Sequence, residues 1–116
     1  MKSIFIAMGM VFLLTNANQS LAQQSKTKVK TSFHVDGVCE MCKARIETAA
    51  LKVKGVRMAI WDVDTKTISV VYSTKKTTED NIHQAIAGVG HNTSKVSATA
   101  EAYNALHECC KYNPNP

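Results

Sequence analysis

Between Val35 and Cys42 the apolar pattern changes from strand-like to helical, and this junction limits the fold more than any other feature of the chain. Upstream, Val29, Thr31, Phe33 and Val35 alternate with Lys28, Lys30, Ser32 and His34, as in a half-buried strand with His34 on its solvated face. Downstream, Cys42, Ile46, Ala49, Ala50 and Val53 recur at helical spacing. Lys43, Arg45, Glu47, Lys52 and Lys54 take the other side, and Gly55 is expected to end the helix. Asp36-Gly37 breaks the strand, so Cys39 and Cys42 fall on an exposed loop that runs into the helix's first turn. Free backbone N–H groups and the positive end of the helix dipole favour thiolate over thiol there. Cys42 begins the buried stripe, whereas Cys39 is freer.

The rest of the chain extends this alternation. Residues 56–63 and 67–73 are β-rich runs around Asp64-Thr65-Lys66, which reads as a hairpin. Ala59, Trp61 and Val63 share one face of the first run, and Ile68, Val70 and Tyr72 share one face of the second; Trp61 is read as a core residue. Thr77-Thr78-Glu79-Asp80 has the hydroxyl caps and acids of a helix start. Ile82, Ala85, Ile86 and Val89 follow as its apolar face, His83 is placed on its surface, and Gly88 and Gly90 stop it. A short polar last strand is expected over 91–96. Two amphipathic helices and one sheet require both helices on the same face. The expected fold is therefore α+β, a ferredoxin-like βαββαβ sandwich with a four-stranded antiparallel sheet. A helical extension over 99–107, with Ala102, Tyr103 and Leu106 as its apolar stripe, leads to Cys109-Cys110 and a polar end, 113–116, expected to be mobile.

Residues 1–22 read as a secretory signal peptide. Lys2 supplies the positive end, the apolar run from Ile4 to Leu14 is too short to span a bilayer, and Ser20-Leu21-Ala22 offers a cleavage site before Gln23. The expected organisation is then a flexible lead at 23–27, a single domain at 28–97 and the C-terminal extension at 98–116, in a periplasmic or secreted protein without stable membrane insertion once the signal is removed. The formal net charge is +5, but the lysines are scattered with no run or aromatic interleaving, which argues against nucleic acid as a partner. No Ser-His-Asp, paired-carboxylate or phosphate-loop constellation is present, so the chain is not read as an enzyme.

The four cysteines fall into two local pairs, which argues against simple stapling, although one staple between the pairs stays open. Soft thiolates select Cu(I), Hg(II), Cd(II) or Zn(II) over hard cations. Two cysteines alone suit linear Cu(I) or Hg(II), whereas structural zinc takes four ligands. An exposed two-ligand site is suited to handing metal on, because incoming sulfurs can add before the donor's leave. Lys43 and Arg45 are expected to offset dithiolate charge. Cys109 and Cys110 could fold back and raise the sulfur count, shifting preference toward Zn(II) or Cd(II) or holding copper more tightly. A tail disulfide or a partner-directed thiol pair is the alternative. His91 is the best-placed histidine as a ligand or supporting group, His107 is read as solvated, and Met41 is either an available thioether or a packing residue. The rival reading is a periplasmic thiol–disulfide redox or redox-sensing protein, since Cys-x-x-Cys at a helix N-terminus also serves that chemistry. The only prolines, Pro114 and Pro116, leave it without the cis-proline of thioredoxin-like sites.

Gly37-x-Cys39-x-x-Cys42, followed by Ile46-Glu47 and by Gly55-Val56 at the second strand, resembles the heavy-metal-associated domain over about residues 28–97. That family includes copper chaperones, metal-binding domains of copper- and zinc-exporting ATPases, and the periplasmic mercury-binding protein. The resemblance implies the βαββαβ fold and metal ligation by Cys39 and Cys42. It also implies Cu(I) or Hg(II) as cargo ahead of Zn(II) or Cd(II), carried to a metal-transporting membrane protein or another metal-binding domain. A monomer is expected, with a metal-bridged dimer as the variant. The chain departs from the family in two places. Gly37-Val38-Cys39 is one residue shorter than the usual Gly-Met-x-Cys and lacks its methionine, and His91 follows Gly90 where the family has Tyr, Phe or Lys.

Overall fold

The computed structural model describes residues 27–113. The expected signal peptide, residues 23–26 of the lead and 114–116 lie outside that range. Three strands form the sheet: β1 (Lys28–His34), β2 (Val56–Asp62) and β3 (Thr67–Ser73). Their order is β1-β3-β2, antiparallel throughout, with Phe33 opposite Ile68 and Trp61 opposite the same Ile68 on the other side. The alternation seen in the sequence is the alternation of faces. Phe33, Val35, Ala59, Trp61, Ile68, Val70 and Tyr72 are buried on one side, while Lys28, Lys30, Ser32 and His34 face water.

Helix α1 (Glu40–Leu51) covers the buried face with Cys42, Ile46, Ala49 and Ala50. It stops short of the expected end: a turn over Lys52–Lys54 intervenes before Gly55, and Val53 is only half-buried in it. Helix α2 (Glu79–Gly88) starts at Thr78, whose hydroxyl accepts from the Asn81 N–H at 3.3 Å. It buries Ile82, His83, Ile86 and Ala87. His83 was expected on the surface and is instead fully buried. Its ring stacks on Phe33 at 3.7 Å and its Nδ1 lies 2.6 Å from the Thr93 hydroxyl, while its buried Nε2 has no hydrogen-bond partner and stands 3.6 Å from Glu79 Oε1. The hairpin between β2 and β3 is closed by Asp62, whose carboxylate accepts from the Asp64 and Thr65 N–H groups at 2.8 and 3.0 Å.

The expected fourth strand is reduced to one antiparallel bridge, Val35 with Thr93. Asp36 N–H donates to the Asn92 carbonyl at 2.9 Å and Ser94 N–H to the His34 carbonyl at 3.1 Å, but the chain then turns away. The turn is set by Thr93, whose hydroxyl accepts from the Lys95 and Val96 N–H groups at 3.2 and 2.9 Å. A threonine side chain that captures these donors offers the backbone an alternative to the sheet ladder.

The extension packs against the core of the sheet and helices. Thr99 caps a short helix, α3 (Ala100–Asn104), and a single 3₁₀ turn follows at Glu108–Cys110. The expected helix over 99–107 is thus shorter, but Tyr103, Leu106 and Cys110 all enter the main core. Tyr112 fastens the end: its hydroxyl donates to the Gly90 carbonyl at 2.8 Å and accepts from the Asn92 N–H at 3.0 Å. Gly90 has φ +104, and a Cβ there would lie 2.8 Å from the Ala102 carbonyl oxygen and 3.0 Å from Leu106. Gly90→Ala is therefore expected to cost about 1–3 kcal/mol through backbone strain and displacement of the extension. Urea unfolding checks this, and an unchanged midpoint would contradict it.

Candidate metal centre

The cysteine loop passes directly over Trp61. A Cβ on Gly37 would lie 3.0 Å from the Trp61 ring and 3.2 Å from Cys42 Cβ, so any larger residue would push the loop or the ring apart by a few tenths of an ångström. The Trp61 indole N–H donates to the Val35 carbonyl at 3.0 Å, which ties the end of β1 to the floor of the site. Helix α1 grips the same residue from outside. Glu47 accepts from the Trp61 backbone N–H at 2.8 Å, and Lys43 donates to the Trp61 carbonyl at 2.9 Å and pairs with Glu47. Lys43 is thus occupied in holding α1 to the edge strand rather than in offsetting thiolate charge.

Three sulfurs converge at the start of α1. Cys39 Sγ lies 3.3 Å from Cys42 Sγ and 3.6 Å from Cys110 Sγ, and the three sulfurs lie within 4.8 Å of one another. All four cysteines are free thiols. Cys42 and Cys110 are fully buried, whereas Cys39 is half-buried at the N-cap of α1. Cys109 points outward, its Sγ 3.9 Å from Cys110 Sγ and 3.8 Å from Met41 Sδ. Met41 is 47% exposed and does not pack in the core.

The two thiols of the Cys-x-x-Cys differ in acidity. At Cys39 burial opposes ionisation, but the backbone N–H groups of Cys42 and Met41 and the thiols of Cys42 and Cys110 outweigh it, bringing the group from 9.0 down to about 7. Cys42 is pushed up to about 12, chiefly by burial, with the neighbouring Cys110 and Cys39 sulfurs adding to the effect. The cluster therefore offers one readily formed thiolate, stabilised by the helix N-terminus. The folded chain binds fewer protons at Cys39 than the unfolded chain does between pH about 7 and 9. The stability this contributes is present above pH 9.0 and is lost as pH falls through about 7. At Cys42 the sign reverses: its contribution is present below pH 9.0 and is lost as pH rises toward 12. Iodoacetamide is expected to label Cys39 first, with a half-maximal rate near pH 7, while Cys42 stays protected. Equal labelling of both would contradict this arrangement.

His91 is fully buried but stands outside the sulfur cluster. Its Nδ1–H donates to the Asp36 carbonyl at 2.8 Å and its ring stacks on Tyr112, so it braces the loop from below. Burial lowers its pKa and keeps the ring neutral. Arg45 lies near His91, and its positive charge depresses the same pKa further. His34 is solvent-exposed and pairs with Asp36 at 2.7 Å. His107 is exposed at the start of the 3₁₀ turn. The sequence places Tyr103 on the apolar stripe of the extension, but the bracing role of Tyr112 was missed, because a single tyrosine near a polar end leaves no pattern.

The heavy-metal-associated domain family matches residues 32–92, which include Cys39 and Cys42 but not Cys109 or Cys110. Among solved structures the chain is similar to a CopZ metallochaperone, with 26% identity and a TM-score of 0.55 over 56% of this chain and 98% of that one. It is also similar to the N-terminal domain of a potential copper-translocating P-type ATPase from Bacillus subtilis in the Cu(I)-loaded state, with 27% identity and a TM-score of 0.54 over 57% and 84% of the two chains. Oxidized MerP from Ralstonia metallidurans CH34 has 25% identity and a TM-score of 0.56, over 58% and 94%. Comparison with curated proteins gives no match.

Proposed function

The chain belongs to the heavy-metal-associated domain family, and on that premise we propose that it is an exported carrier of a soft metal ion. The domain itself is a metal carrier and not an enzyme, although it also occurs as the N-terminal domain of a P-type ATPase. The cargo is Cu(I) or Hg(II), held by Cys39 and Cys42 with Cys110 as a third thiolate. The convergence of these three sulfurs carries the reading. A trigonal site with metal–sulfur bonds of about 2.3 Å needs sulfurs about 4 Å apart, so modest opening of the cluster admits an ion. Three thiolates without a fourth ligand favour a soft ion that accepts low coordination over tetrahedral zinc.

The roles of the three sulfurs follow from their placement. Cys39, the accessible and acidic member, is the thiolate most readily formed and the one open to sulfur exchange. Cys42 is fixed by burial on α1, and Cys110 closes the site from the extension. Release is to a metal-transporting membrane protein or another metal-binding domain, whose thiolates can add at the open Cys39 side. The N-terminal pattern of residues 1–22 supports export to the periplasm or medium. Among the described residues no helix is long and apolar enough to cross a membrane.

Anaerobic titration of the reduced chain with Cu(I), Hg(II) and Zn(II) tests the reading. The expected result is tight binding of one Cu(I) or Hg(II) at the inner cluster, with zinc far weaker. Tighter binding of zinc, or no binding of the soft ions, would contradict it. A redox role is the second reading, favoured by one observation: an acidic accessible thiol beside a buried, weakly acidic one is also the arrangement of a disulfide-exchange pair.

A further inference from the structure

The proposed centre leaves two sulfurs unused, and they face each other across its mouth. Cys109 and Cys110 share one 3₁₀ turn, which sends the Cys110 sulfur into the core and the Cys109 sulfur outward. Met41, in the first turn of α1, carries its thioether to the same place from the other side. Cys109 Sγ stands 3.8 Å from Met41 Sδ and 3.9 Å from Cys110 Sγ. Chain elements 68 positions apart in sequence, at Met41 and Cys109, bring these atoms together at the surface. A methionine 47% exposed beside an exposed thiol gains little from packing; its sulfur is available for another purpose.

We propose that Cys109, Cys110 and Met41 form a second, outer site for a soft monovalent ion of the Cu(I) class, sharing the Cys110 thiolate with the inner site. The inference rests on the metal-carrier reading above. Cys109 stands 3.8 and 3.9 Å from its two sulfur neighbours, close to the roughly 4 Å between sulfurs around an ion bonded at about 2.3 Å. The ligand set also has a preference built in. A thioether is neutral and soft, so it supports Cu(I) while adding nothing for hard cations. Each thiol that joins loses its proton to solvent, and the thioether joins unchanged. A thiolate has lone pairs enough to bridge two ions, which makes Cys110 the link between an exposed station and a buried one. An ion arriving at Cys109 and Met41 can then pass to Cys39 and Cys42 by exchanging one sulfur at a time, without release into water.

The test is native mass spectrometry of the reduced full chain with Ag(I), a redox-inert probe of the Cu(I) class, together with competition against a soluble thiol. Met41→Leu and Cys109→Ser change exposed side chains outside the inner cluster, so both variants are expected to fold. Each is expected to bind one ion fewer per monomer than the unaltered chain, while the tightest ion keeps its affinity within about threefold. An equal ion count in the unaltered chain and either variant would overturn the outer site. Absence of the tightest ion from the unaltered chain would instead overturn the carrier reading itself.

Discussion

Cys42→Ser is expected to weaken Cu(I) or Hg(II) binding by roughly 10²- to 10³-fold. Metal binding free energies of about 10–16 kcal/mol spread over four ligands in small zinc domains correspond to about 2.5–4 kcal/mol per ligand, and each 1.4 kcal/mol is tenfold. Cys42 sits near the top of that range because it is fully buried and no water can take its place. The serine oxygen is a hard donor and stays protonated, so it substitutes poorly for thiolate. A buried hydroxyl without a partner also destabilises the fold by about 1–3 kcal/mol. The affinity should therefore be measured by competition on protein shown to be folded by its metal-free unfolding curve. An affinity within about threefold of the unaltered chain would remove Cys42 from the site.

Trp61→Ala is expected to cost about 3–5 kcal/mol, a large part of the roughly 5–15 kcal/mol that holds a domain of this size together. The indole fills the space beneath Gly37 and Cys42 and bonds the Val35 carbonyl, so its loss removes both the floor of the sulfur cluster and the tie to β1. Chemical denaturation gives the magnitude. Trp61→Phe keeps most of the ring and should lose about 1–3 kcal/mol, mainly from the unpaired carbonyl. A cost below about 1 kcal/mol for the alanine variant would show that the tryptophan is not the support described here.

The parts legible in the sequence were those written in local periodicity. Phe33 alternating with His34, and Ile46 recurring after Cys42, announced β1 and α1. The hairpin was visible because Asp64-Thr65-Lys66 separates two β-rich runs, although the first run ends at Asp62, whose carboxylate closes the turn, and not at Val63. The last strand failed because its alternation competes with a side chain: Thr93 turns the backbone back on itself after one bridge. His83 was misplaced because a polar residue beside an apolar stripe looks exposed until Phe33 is known to lie above it. Lys43 was assigned to the sulfurs by proximity in sequence, but a carboxylate one turn away and a strand carbonyl hold it. The candidate site was half-legible. Cys39 and Cys42 announce themselves by spacing, whereas Cys110 could be named only as a sulfur able to fold back with Cys109; which of the two enters depends on the packing of Tyr103, Leu106 and Tyr112 against a distant segment.

Cys110 is the ligand on which the three-thiolate centre turns. X-ray absorption on the reduced chain loaded with one equivalent of Cu(I), set beside Cys110→Ser, counts the sulfurs directly. Three sulfur neighbours in the unaltered chain and two in the variant are the expected result. Two in both would mean that the extension packs beside the metal without holding it, and the three-thiolate centre would have to be given up.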